Sequence, residues 1–226
     1  FPASYTQPVG PGKWSSPDGK SLSPYWGKVR TFATFGNNLV SPPPPAYSTN
    51  PSSQYYKDFA EVNENITNLT PERRWRAEFW SDDIVGLTFS PPARVFQIAN
   101  QMIQNESANL EFSLHLLLKL GIAENDAAVA AWGSKFLYNV ERPSNYIPAT
   151  INPNFKTILG NALGTENLTP PFPGYPSGHS TFGGLSISVL GEFFGESYTF
   201  TDRCHYGRSE FNGTPRTYTT QTQIGE

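Results

Sequence analysis

The sequence predicts an all-α protein: a helical bundle over residues 61–226, preceded by an extended Pro-rich N-terminal arm over residues 1–60. Three observations carry this. From Thr70 to Phe194 apolar residues recur at three- and four-residue steps, behind Ser, Thr and Pro residues that start helices well. No run of convincing length alternates apolar with polar residues, and no segment repeats. The arm is rich in Pro, Gly, Ser and Tyr, and Ser41-Pro42-Pro43-Pro44-Pro45 must be extended. Its aromatic residues, Trp14, Tyr25, Trp26 and Phe35, predict packing on the body rather than a free tail.

The elements follow in order. Thr70 is a good N-cap and Pro71 a good first helical residue; Trp75, Phe79 and Trp80 then fall at helical spacing. Pro91-Pro92 open a second helix with Val95, Phe96, Ala99, Met102 and Ile103 on one side. A third is predicted from about Ser107 to Leu120, closed by Gly121, and a fourth from about Glu124 to Arg142. Phe155 to Leu163 is a short candidate. The last strong helix starts near Gly178 and ends by Gly195; its small residues Gly183, Gly184, Ser186 and Ser188 invite a close neighbour. Thr199 to Glu226 is polar and reads as a loop.

Composition excludes some functions. A chain of 226 residues can bury a sizeable core. Its net charge of −3, with Lys and Arg dispersed, leaves no basic stripe for nucleic acid. No apolar run reaches membrane-spanning length. Cys204 is the single cysteine, so no internal disulfide can form. His115, among leucines, reads as a half-buried helix residue, and Cys204-His205 as structural.

Two stretches carry chemistry. Pro170 to His179 ends in Pro176-Ser177-Gly178-His179, a hydroxyl, a permissive backbone amide and an imidazole just where a helix begins. Free N–H groups and the positive dipole end of a helix attract an oxyanion, and Gly178 lets backbone approach it. Ser177 also reads as the helix cap, a role compatible with facing an anion. His179 can move a proton near neutral pH. Upstream, Lys135 and Arg142 are separated by about two helical turns, roughly 10 Å, which predicts two cations on one face of one helix, with Trp132 and Asn139 on the same stripe. Pro143 places Arg142 at that helix's end.

Lys135-x6-Arg142-Pro143 followed by Pro176-Ser177-Gly178-His179 resembles the signature of the vanadium-dependent haloperoxidases and their relatives, the type 2 phosphatidic-acid and acid phosphatases. Within that superfamily it is most similar to the chloroperoxidase-like branch. Phe172 stands seven residues before the motif histidine and Trp132 three before the motif lysine, where family members place halide-pocket aromatics; Phe79-Trp80-Ser81-Asp82-Asp83 resembles a family segment whose carboxylate matches Asp83. The resemblance implies a peroxidase that oxidises halide with hydrogen peroxide at bound vanadate, giving hypohalous acid. Lys135, Arg142, Ser177, Gly178 and His179 would hold the vanadate, a site that phosphate can also occupy. His179, Lys135 and Asp83 would be catalytic. It also implies export, to a secreted or periplasmic location.

The family's third motif, Ser-Arg-x5-His-x3-Asp, is absent. Six residues before His205 stands Thr199, and four after it Ser209. The metal-ligating histidine is therefore expected beyond Glu226, from a trimmed or fragmentary chain or an early stop. Two alternatives stay open: a phosphatase that hydrolyses phosphate monoesters in the same pocket, and a catalytically inactive truncated homologue.

Overall fold

A computed structural model describes residues 4–16, 19–82, 88–159, 169–209 and 212–225. Its regular elements are helices, apart from two short strands among the described residues. The helices are α1 (Gln54–Thr67), α2 (Pro71–Phe79), α3 (Pro91–Asn105), α4 (Leu110–Tyr138), α5 (Pro143–Thr150), α6 (Gly178–Phe194) and α7 (Thr222–Gly225). Strands β1 (Phe200–Asp202) and β2 (Arg216–Tyr218) pair antiparallel, with Phe200 opposite Tyr218 and Asp202 opposite Arg216. The candidate helix from Phe155 to Leu163 falls largely on residues 160–168, outside the described residues.

The chain divides into two compact units. The first comprises residues 1–28, 40–80 and 132–176. Ser53 caps α1 by accepting the Tyr56 N–H, and Thr70 caps α2 by accepting that of Arg73. Helices α1 and α5 pack through Tyr55, Phe59, Tyr146 and Ile147, joined by Phe155. The rings of Tyr55 and Tyr146 meet nearly perpendicular at 5.3 Å, a favoured aromatic geometry. Within this unit Trp14 is 2% exposed. Its N–H donates to the Asn139 carbonyl at 2.9 Å, and the Asn139 side-chain amide donates back to the Trp14 carbonyl at 3.1 Å.

The second unit comprises residues 29–39, 81–131 and 177–226. Helix α6 packs on α3 and α7. Val95, Ile98, Ala99 and Met102 from α3, Leu116 and Leu120 from α4, and Phe182, Val189 and Leu190 from α6 are buried. Phe35, expected to pack, is 72% exposed. What holds its segment is Asp126, whose carboxylate accepts the N–H groups of Phe32, Ala33 and Thr34, each at 2.8 Å. Burial alone would raise that carboxyl, but these amides hold it at about 2.

Three local expectations are corrected. Gly121 does not close a helix: α4 runs unbroken from Leu110 to Tyr138, because a mid-helix glycine costs only about 1 kcal/mol and buried neighbours outweigh it. His115 is exposed and lies edge-on to Phe193 at 5.1 Å, since it lies on the outward face of α4 with Leu114 and Leu118. Thr199–Glu226 is not plain loop but carries β1, β2 and α7. Strands of three residues are too short to show alternation in sequence.

Glu124, on α4, is 5% exposed, and its Oε1 has no hydrogen-bond partner among the described residues. Burial pushes its carboxyl from near 4.5 up to about 8. Between those pH values the unfolded chain has lost this proton while the folded one keeps it. Folding stability should therefore fall as pH rises from about 4.5 to 8, by at most ~1.4 kcal/mol per pH unit. Urea titrations across that range should show the decline, and Glu124→Gln should flatten it; an equal slope in both proteins would refute the assignment.

Candidate functional site

In the first unit, four of the residues singled out from sequence come together. Lys135 lies in the last turn of α4 and is 1% exposed. Its ammonium donates to the carbonyls of Pro173 (2.9 Å) and Pro176 (2.5 Å), so it is seated in the Phe172–Pro176 loop. Arg142 Nε donates to the Phe172 carbonyl at 2.5 Å, and its guanidinium lies 4.6 Å from the Phe172 ring centroid. Lys135 Nζ lies 4.9 Å from the same centroid. Trp132 packs on Phe172 at 5.1 Å. Two cations over one aromatic face gain about 0.5–2 kcal/mol each.

This arrangement is not the one helical spacing predicts. Helix α4 stops at Tyr138, where Asn139 turns left-handed with φ 52°. Arg142 is extended (φ −94°, ψ 158°) and is the N-cap residue of α5, with Pro143 as its first helical residue. So Lys135 and Arg142 do not share a helix face, and Arg142 precedes a helix rather than ending one. Proline's ring disfavours helical backbone at the preceding residue, and its missing N–H costs nothing at a helix start. The two cations are instead gathered by carbonyls of the 172–176 loop. That loop pairs with the α4–α5 connection through the Gly174 N–H and the Val140 carbonyl, 2.9 Å. Glu141, between them, accepts from the Tyr55 hydroxyl at 2.9 Å, and burial raises its carboxyl.

In the second unit, Ser177 is the N-cap of α6: its hydroxyl accepts the Ser180 N–H at 3.2 Å and its carbonyl the Thr181 N–H at 3.2 Å. The N–H groups of Gly178 and His179 are then the first of the helix and have no intrahelical acceptor. His179 Nε2 is enclosed, without a hydrogen-bond partner among the described residues, and lies 3.8 Å from Asp82 Oδ2. Asp83, the carboxylate picked out from sequence, lies outside the described residues.

Behind Asp82 is a buried charge network that the sequence reading missed. Arg94, 1% exposed on α3, donates to Asp82 Oδ1 (3.1 Å) and Asp202 Oδ2 (2.9 Å), and meets His205 Nε2 (2.6 Å). A guanidinium only donates, so Nε2 accepts and the His205 ring is neutral with its proton on Nδ1. The two carboxylates outweigh burial and hold Arg94 above its ordinary value. Gly213 closes this region: a Cβ there would lie 2.1 Å from the His205 carbonyl oxygen, so no larger residue fits. One signal was available. Arg94 stands one turn before Ile98 on the apolar stripe of α3, and a charge there must find partners.

The first unit offers an ammonium and a guanidinium, and the second a hydroxyl and helix-start amides. Such donors suit an oxyanion rather than a bare cation, and among the described residues no group of three or more His, Cys, Asp or Glu could hold a metal ion. No described helix is long and apolar enough to cross a membrane.

A helical bundle bearing such donors is the class of protein that fold and site define. Comparison with known proteins makes it particular. The family described as the VCPO second helical-bundle domain matches residues 115–224, which include Lys135, Arg142 and Ser177 to His179. The vanadium chloroperoxidase of Curvularia inaequalis is 26% identical over 198 residues, covering 76% of this chain and 32% of that protein. The crystal structure of the first bacterial vanadium-dependent iodoperoxidase superposes with a TM-score of 0.84 at 29% identity, covering 97% of this chain and 53% of that one. These likenesses support a vanadium haloperoxidase-like protein, and the fold is a helical bundle. The chain spans about a third of the chloroperoxidase's length and about half of the iodoperoxidase's.

Proposed function

We propose that the chain belongs to an enzyme that oxidises halide with hydrogen peroxide at a bound vanadate. The observation that carries this is the buried Lys135 ammonium, seated beside Arg142 over the Phe172 ring in the loop leading to the Ser177 cap. The likeness to vanadium haloperoxidases supports it.

In this reading Lys135 and Arg142 would donate to the oxygens of the oxyanion and offset its charge; the sequence resemblance adds the Ser177 hydroxyl and the Gly178 amide as further donors. When bound, vanadate supplies a Lewis acid at which peroxide is activated toward halide without a change of metal oxidation state. His179 takes the proton that peroxide gives up on binding, and Asp82 at 3.8 Å balances the charge the ring acquires. Trp132 and Phe172 form the apolar wall along which halide approaches. Fixed donors aimed at one charge give stabilisation that needs no reorganisation. Asp83 is kept as a further catalytic carboxylate on the sequence resemblance. Export of the protein is likewise proposed on that resemblance.

Assays of iodide and bromide oxidation with added orthovanadate, run beside hydrolysis of an aryl phosphate, test the reading. Halide oxidation should dominate, and His179→Ala should abolish turnover while orthovanadate still binds within about tenfold of the native affinity. Phosphate-ester hydrolysis without halide oxidation would establish the phosphatase instead; neither reaction, with no orthovanadate binding, would mark an inactive homologue.

A further inference from the structure

Trp132 is 6% exposed, yet little of what fixes its ring comes from its own helix. Its indole N–H donates to the Leu22 carbonyl at 3.3 Å. The Leu22 N–H donates in turn to the Pro171 carbonyl at 2.8 Å, one residue before Phe172. A single arm residue, through backbone groups alone, thus ties the helix that carries Trp132 to the loop that carries Phe172. Four residues further on, Trp26 packs against Trp132 at 4.8 Å between centroids and 54° between planes. The approach is made by Gly27 against Gly133: a Cβ on Gly27 would lie 2.2 Å from the Gly133 Cα. The stretch from Leu22 to Gly27 therefore grips Trp132 and its neighbour at three points.

We propose that this stretch of the N-terminal arm, with Trp26 as its main side chain, is the positioning element that sets the tilt of Trp132 against Phe172 and thereby which halide the protein prefers. The inference rests on the reading of Trp132 and Phe172 as the halide wall. An aromatic ring presents a positive edge and a negative face, so its tilt decides what an anion meets. The observed tilt of Trp132 to Phe172 is 54° at 5.1 Å. The tilt therefore sets how much ring edge the wall offers to an anion, and halides differ in radius. Trp26 packs on Trp132 rather than on the anion, so it acts through the neighbouring ring.

The test follows iodide and bromide quenching of tryptophan fluorescence in the full chain. The Trp132 contribution is taken as the difference from Trp132→Phe in each background. Orthovanadate binding is measured alongside by vanadium NMR. The native chain should show saturable quenching of Trp132. Trp26→Leu should shift the ratio of iodide to bromide half-saturation by about fivefold, the size of one aromatic pair contact, whereas Trp26→Phe, which keeps a ring, should restore the native ratio to within about twofold. If Trp26→Leu loses helical circular dichroism, Trp26→Met takes its place with the same expectation. Where halide turnover is measurable, KM for halide should move and kcat should not. A ratio unchanged in Trp26→Leu, or native quenching that never saturates, overturns the inference. A native chain that fails to bind orthovanadate, yet shows the ratio shift, sinks the proposed function and leaves this inference standing.

Discussion

Arg94→Ala should destabilise the protein by about 3–5 kcal/mol, because it leaves buried charge without compensation. Asp82 is 2% exposed and Asp202 fully buried, and both accept from Arg94. His205, also fully buried, directs its Nε2 lone pair at the same guanidinium. Water cannot reach these groups to replace what is lost. Arg94→Lys should recover only part of the loss, since one ammonium cannot reproduce a planar fork that serves two carboxylates and a ring nitrogen. Neutralising the cluster should be gentler: Arg94→Met combined with Asp82→Asn and Asp202→Asn should be more stable than Arg94→Ala alone, a strongly non-additive result. Urea unfolding followed by circular dichroism measures all of these. If Arg94→Ala came within about 1 kcal/mol of the native chain, the network would not be holding the second unit together.

Lys135→Met should weaken orthovanadate binding by about 100-fold. Hydrogen bonds to charged groups contribute about 1.5–3 kcal/mol, and each ~1.4 kcal/mol is a factor of ten. Methionine keeps much of the side-chain volume and removes the charge. Lys135→Arg should not rescue binding. The ammonium fits between the carbonyls of Pro173 and Pro176 at 2.9 and 2.5 Å, a socket for a compact donor rather than a planar fork. Calorimetric titration with orthovanadate, with helical content checked on the same samples, measures the effect. An affinity for Lys135→Met within about threefold of native would remove the lysine from the oxyanion site and with it the main support for the proposed chemistry.

These two predictions differ in how far sequence led to them. Lys135 was singled out by spacing and by its motif, and its burial agrees with a special role. The route to that role was different from the one expected. Helical periodicity put Lys135 and Arg142 on one face, but Asn139 turns the chain left-handed and Arg142, disfavoured from helix by Pro143, is extended. Carbonyls of the 172–176 loop do the gathering instead, and such contacts between residues some 30–40 positions apart leave no periodic trace. Arg94 could have been flagged as a charge on an apolar stripe. Its partners could not have been named, because Asp202 and His205 lie more than a hundred residues away on a strand and turn too short to read.

Sequence alone determined the helical class, the caps at Thr70 and Ser177 and the start of α6. Each of these depends on interactions within about one helical turn, where spacing and residue type suffice. Tertiary structure decided which charges are buried together, how Arg142 reaches Phe172, and that the arm grips Trp132 through Leu22, Trp26 and Gly27. The physical reason is one of range. Burial turns a weak exposed charge pair into a strong constraint, and only the folded chain determines which groups are buried beside one another.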